Sequence, residues 1–182
     1  MTALLIIDMQ KGMLSPTLPP RNNPQAEANI ARLLAAWREA GKPVVFVRHI
    51  SRSATSVFAP GQPGAEFQER FAPLALEHIV EKNVPDAFVN TGLERWLHVR
   101  GIRDVVIVGV STNNSVEATA RSAGNLGFDA IVSADAAFTF DQRDLNGRLW
   151  PAEDVHALSL ANIAMDYAAV RSTNEIVEAM DA

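Results

Sequence analysis

DVVIVGVSTNNSVEATARSAGNLGFDAIVSAD, residues 104–135, is the stretch whose reading decides the fold class. An apolar run ends at Gly109, helical spacing takes over from Ser115, and a second apolar run ends at Asp135. Two short apolar runs around a helical pattern mark a β–α–β unit, and repeated units of that kind build a parallel sheet.

Outward from this unit the same alternation covers the chain. ALLIID ends at Asp8, PVVFVRH near His49, HIVEK at Lys82 and AAVRS at Ser172, which makes six runs in all. NPQAEANIARLLAAWREAG sets Ile30, Leu33, Leu34 and Trp37 at helical spacing and closes on Gly41, a natural helix stop. TGLERWLHVRG repeats the device, with Thr91 as N-cap and Gly101 as stop. PAEDVHALSLANIAMDYA supplies a further helix, with Pro151 in its first turn and acids beside it. No repeat, linker or low-complexity segment interrupts residues 1–182, so a single domain is expected, a three-layer α/β/α sandwich around a six-stranded parallel sheet.

Composition narrows the partners. The 182 residues are 48% hydrophobic and 20% charged, with a net charge of -5, which fits a globular protein and argues against a nucleic-acid surface built of clustered Lys and Arg. The opening MTALLIIDMQ has no basic leading region and breaks at Asp8, unlike a secretion signal, and no run approaches the length of a membrane helix. A cytoplasmic protein acting on a small molecule, with no nucleic-acid or membrane partner, is expected. The chain contains no cysteine, which excludes disulfides and thiolate metal sites.

Open α/β sheets bind ligands at the carboxyl ends of their strands. Asp8 and Lys82 terminate the first and third runs, and Ser115 opens the helix after the fourth. An acid, an amine and a hydroxyl at one sheet edge form a nucleophile with a proton-shuttling pair, although each also has an ordinary role as cap or solvated strand end. Two long irregular segments, 51–67 and 139–154, leave the same edge and supply the walls or lids of a pocket.

The blocks LLIIDMQKGM, PVVFVRH, FAPGQPGAEF, VEKNVPDAF, VVIVGVSTNNSVEATARSAGNLGFD and SADAAFTFD, in that order, resemble the isochorismatase-like hydrolases, also called the cysteine hydrolase family. The resemblance runs from Leu4 to about Val170 and implies the strand order 3-2-1-4-5-6, with the chain reversal between the first and fourth strands. It also implies a catalytic triad of Asp, Lys and Cys, of which Asp8 and Lys82 match the first two while Ser115 stands where the family has its cysteine. An oxyanion hole from the backbone N–H groups of Ser111 and Ser115, and a cis bond between Val110 and Ser111, are implied in the same way.

The exchange of sulfur for oxygen weakens the attack, because a thiol titrates near 8.5 whereas a hydroxyl resists ionisation and needs a well-matched base. Three readings stand at this point. Ser115 attacks a C–N bond of an amide, carbamoyl or ureido compound, as an amidohydrolase would. Alternatively the chain hydrolyses an enol ether without a nucleophile, as isochorismatases proper do. The third reading is a catalytically inactive binding homologue, or a form whose cysteine was exchanged to trap substrate.

Gln10, His49, Phe58, Asn114 and Trp150 are the expected substrate-binding residues, Phe58 and Trp150 as apolar walls in the two long segments. Arg52, Arg143 and Arg148 are the basic groups a dianionic substrate such as isochorismate requires. Metal-dependent members of the family use an Asp and several His after the second strand. Only His49 stands there, so neither a metal nor another cofactor is expected. His78, His98 and His156 are read as structural, as are Asp135, ending its strand, and Arg121, anchoring its helix by an ion pair. The resemblance implies assembly as a homodimer or homotetramer, and the segment DQRDLNGRLW fits a contact between subunits or, equally, a solvated lid.

Overall fold

A computed structural model describes residues 1–180. Strands β1 (Thr2–Ile7), β2 (Val44–His49), β3 (His78–Lys82), β4 (Asp104–Val110), β5 (Asp129–Phe138) and β8 (Ala169–Arg171) form one parallel sheet in the order β3-β2-β1-β4-β5-β8. This is the expected 3-2-1-4-5-6 order, since β8 is the sixth strand of the sheet. In β1, β2 and β4 the apolar runs are continuous rather than alternating because both faces are covered, whereas the edge strands β3 and β8 keep exposed residues. On one face Leu5, Ile7, Val45, Val105 and Ile107 pack against helices α2 (Leu93–Val99), α3 (Glu117–Asn125) and α4 (Ala152–Asp166). On the other, Leu4, Ile6, Phe46, Val106 and Val108 meet α1 (Ala26–Glu39) and α5 (Thr173–Glu178). Among the described residues no helix is long and apolar enough to cross a membrane.

Three local features depart from the sequence reading. Thr91 is not the N-cap of α2; Gly92 is, and the Thr91 hydroxyl donates to Ala87 O at 2.6 Å while accepting from Leu93 N at 3.3 Å. Segment 139–154 is not wholly irregular, for β6 (Gln142–Arg143) and β7 (Leu149–Trp150) pair as an antiparallel hairpin. Strand β5 continues past Asp135 to Phe138 through a bulge, with Ile107 opposite Val132 but Gly109 opposite Ala137. The carbonyls freed from the ladder find side chains: Asn23 Nδ2 donates to Ala134 O and Ala137 O, and Asn29 Nδ2 to Asp135 O.

The registers bring the reactive strand ends to one edge. Ile7 lies opposite both Val47 and Gly109, and His49 opposite Lys82. Gly109 has φ +119°, and a Cβ built there would lie 2.1 Å from Ile7 O. Only glycine permits this close approach of β4 to β1 just before the turn that carries Ser115.

Candidate active site

Asp8 leaves β1 with φ +52° and its N–H bonded to Val47 O at 2.9 Å, a left-handed conformation that Asp tolerates better than most residues. Lys82 ends β3 two strands away. Ser115 sits in a single π-helical turn, Thr112–Val116, that follows the cis Val110–Ser111 bond and leads into α3. The three side chains meet in the interior: Lys82 Nζ donates to Asp8 Oδ2 at 2.7 Å and to Ser115 Oγ at 3.3 Å. The Asp8 and Lys82 side chains are 2% and 0% exposed, so their ion pair is fully desolvated.

Burial pushes the Asp8 carboxyl above the ordinary aspartate range, against the charge and hydrogen bond of Lys82 and the nearby Ser115 hydroxyl. A carboxylate raised in this way is a stronger base than a solvated one. Its second oxygen, Oδ1, is buried with no hydrogen-bond partner and is open as an acceptor. His49, at the end of β2 opposite Lys82, is held below the usual histidine range by burial first and the Lys82 charge second, with Asp8 opposing.

Gln10 does different work from that expected. It is fully buried, its Nε2 donates to His49 O and Ala65 O at 2.9 and 3.0 Å, and its Oε1 accepts from His49 N at 2.8 Å. With the amide committed to the backbone, Gln10 clamps segment 51–67 to the end of β2 instead of facing substrate. Phe58, in that segment, stands edge-on to the His49 ring at 6.3 Å. Its ring also lies over Gly12, where an added Cβ would come within 2.6 Å.

Trp150 is not on the same wall. It lines a groove of about 490 Å³ with Asn113, Val155 and Leu158, and its Nε1 donates to Asp144 Oδ2 at 3.1 Å. Asn114 is exposed, and its neighbour Asn113 links the turn to the hairpin by accepting from Thr139 Oγ1 and donating to Gln142 Oε1. The structural readings of the other residues match their contacts. His78 stacks on Trp96, His98 on Phe128 and Arg121 pairs with Glu117, while Asp135, which lies within β5 instead of ending it, is structural through Oδ1, which accepts from Thr173 N at the start of α5. Among the described residues no group of three or more His, Cys, Asp or Glu is gathered as a metal would need. Sequence reasoning gave no part to Thr112 or Asp141; the latter caps α4 by accepting from Ala152 N at 2.8 Å.

A strand-end Asp and Lys on a sheet of this order, with a helix-borne hydroxyl between them, coincide with a family match: residues 2–175 fit the isochorismatase domain. The chain belongs to the isochorismatase family. Family members are hydrolases, and this chain is an isochorismatase-family hydrolase. A crystal structure described as a hydrolase of this family from Chromobacterium violaceum superposes with a TM-score of 0.96 at 45% identity, covering 99% of this chain and 93% of that one. The uncharacterized isochorismatase family protein YrdC of Bacillus subtilis is 37% identical over 96% of this chain and 94% of its own length. Relatives with named activities include nicotinamidase 3 of Arabidopsis thaliana, 32% identical over 91% of this chain and 82% of that one, and maleamate amidohydrolase of Pseudomonas putida, 33% identical over 71% and 68%.

Proposed function

We propose that this hydrolase cleaves a C–N bond of a small amide, carbamoyl or ureido compound, with Ser115 in the nucleophile's place. The observation that carries the reading is the position of Lys82 Nζ, bonded at once to Asp8 Oδ2 and to Ser115 Oγ. Asp8 Oδ1 takes the hydroxyl proton as Ser115 Oγ attacks the carbonyl carbon, and Lys82 stabilises the charge that develops on Oγ. The backbone N–H groups of Ser111 and Ser115, at the start of a helix, hold the resulting oxyanion. The proton on Asp8 passes to the leaving nitrogen, and water then releases the acyl group by the reverse transfers. The names nicotinamidase and maleamate amidohydrolase among the relatives support an amide-type substrate.

Enol-ether hydrolysis is the second reading, favoured by the raised Asp8, which suits a general acid needing no nucleophile. Against it, the three arginines set aside for a dianion are engaged elsewhere. Arg52 donates to Asn83 Oδ1, Arg143 to Gly147 O, and the Arg148 guanidinium lies 4.0 Å over the Trp150 ring.

Turnover of an amide and ureide panel and of isochorismate, by the protein and by its Ser115→Cys, Ser115→Ala and Asp8→Asn variants, separates the readings. C–N hydrolysis lost in Ser115→Ala supports the proposal. Activity retained in Ser115→Ala but lost in Asp8→Asn replaces it with the nucleophile-free reaction. Amide turnover by the Cys variant alone marks Ser115 as a disabled nucleophile and favours the binding form.

The same reading includes a homo-oligomer joined through the β6–β7 hairpin. Leu145 at its tip is fully exposed, and Leu158 stands out beside the Trp150 groove, apolar side chains that a second copy would cover. Sedimentation equilibrium tests it: a monomer, or an assembly unaffected by Leu145→Asp, removes this contact.

A further inference from the structure

Behind the catalytic turn, α4 presents two side chains three residues apart on one face. His156 Nδ1 lies 2.8 Å from Thr112 Oγ1. Ser159 Oγ lies 3.1 Å from Thr112 O and 2.6 Å from Glu117 Oε2, its one proton shared between them. The histidine tautomer follows from its other nitrogen. Nε2 is 3.0 Å from Ala134 O, an atom that can only accept, so Nε2 carries the proton and Nδ1 accepts from the Thr112 hydroxyl. Asn23 Nδ2, though 3.4 Å from Nε2, directs its protons to Ala134 O and Ala137 O at 2.8 and 2.7 Å. The chain of bonds is thus directional, from Thr112 through His156 to the carbonyl that the β5 bulge releases.

Thr112 is fully buried and held at both side chain and main chain. It is the first residue of the π-helical turn, one residue after the cis-linked Ser111 and three before Ser115. Neither His156 nor Ser159 is hydrogen-bonded to Asp8, Lys82 or Ser115, so neither takes part in the proton transfers described above. We propose that His156 and Ser159 are positioning residues, which through Thr112 fix the turn that holds Ser115 Oγ against Lys82 Nζ. This inference rests on the reading of Ser115 as the point of attack. It adds a rigid support from α4, placed where a displacement of about 1 Å costs on the order of a hundredfold in rate.

A thiol at position 115 reports this geometry without requiring turnover, because its ionisation depends on the distance to Lys82. The experiment measures iodoacetamide alkylation against pH for Ser115→Cys alone and combined with Thr112→Val, Thr112→Ser or Ser159→Ala. Unfolding curves accompany each variant. Thr112→Val, which exchanges the hydroxyl for a methyl group and so breaks the bond to His156 Nδ1, is expected to raise the alkylation midpoint and slow the neutral-pH rate about tenfold. Thr112→Ser is expected to restore both. If the valine variant does not fold, Ser159→Ala, which cuts the tether to Thr112 O, carries the same expectation. Unchanged midpoint and rate in the folded valine or alanine variant overturns the proposal. The amide panel distinguishes the two levels: a readily ionised thiol that turns over no amide or ureide defeats the C–N reading and leaves the positioning intact. Turnover that Thr112→Val does not alter, with an unmoved midpoint, defeats the positioning and leaves the C–N reading standing.

Discussion

Replacing Lys82 by Met removes the cation from a pair whose side chains are 0% and 2% exposed, and leaves Asp8 buried without its 2.7 Å partner. Removing one member of a buried pair typically costs about 3–5 kcal/mol, because the remaining charge has no solvent. Asp8 can avoid that cost by keeping its proton. Its carboxyl already lies above the ordinary value of 3.8 because burial outweighs Lys82, and loss of Lys82 raises it further. The folded variant then holds a proton that the unfolded chain releases, so its stability is fully present below the ordinary carboxylate range and is lost as pH rises, at about 1.4 kcal/mol per unit. From 3.8 to pH 7 that slope sets a ceiling of about 4.4 kcal/mol, close to the cost of stranding the charge. At roughly 2–4 °C per kcal/mol for a chain of this size, that ceiling corresponds to a fall in melting temperature of at most about 9–18 °C between acid and neutral pH. The parent shows the same sign with a shorter range, since Lys82 offsets part of the burial. Urea titrations of both proteins at intervals from pH 4 to 8 measure the difference, which is expected to widen with pH. Parallel profiles, or a variant that gains stability as pH rises, would refute the claim that burial governs Asp8.

Three further outcomes follow from the geometry. Gly109→Ala forces a Cβ to 2.1 Å from Ile7 O at φ +119° and is expected to cost about 3 kcal/mol or more in urea denaturation; a loss under about 1 kcal/mol would show that the β1–β4 approach yields easily. Gln10→Leu strands the backbone groups of His49 and Ala65, destabilises by about 2–4 kcal/mol, and is expected to open segment 51–67 to limited proteolysis, so an unaltered cleavage rate counts against the clamp. Ser172→Ala removes the cap that accepts from Glu175 N at the start of α5 and is expected to cost about 1 kcal/mol, with no effect on alkylation of a Ser115→Cys thiol.

The sheet was legible because its code is redundant. Six short apolar runs separated by helical patterns announce a parallel sheet whichever run is read first, with the central strands β1, β2 and β4 buried on both faces, and Gly41 and Gly101, both at positive φ, stop their helices as expected. What escaped was written in shorter signals. Ser172 and Glu175 satisfy the capping-box spacing and open α5, yet the sixth apolar run reads through to the same serine and hides it. The β6–β7 hairpin turns near Asn146 and Gly147, an Asn-Gly pair with φ +80° at the glycine, but its strands of two residues carry no alternation to flag them.

The site divides along the same line. Asp8, Lys82 and Ser115 could be placed together from sequence because strand ends on one sheet edge are close wherever the intervening loops go. Residues in the long loops had no such guarantee, and there the outcomes split: Phe58 reached His49, while Trp150 went to a groove of its own beside α4. Gln10 shows the limit most clearly. Two residues after Asp8 an amide can face either a substrate or a neighbouring strand, and the choice depends on whether backbone groups of residues 39 and 55 positions away come within reach. The same holds for Thr112, whose partners on α4 lie more than forty residues along the chain. Sequence spacing thus identifies the groups that act at the strand ends, whereas the groups that hold them are fixed by long-range backbone contacts.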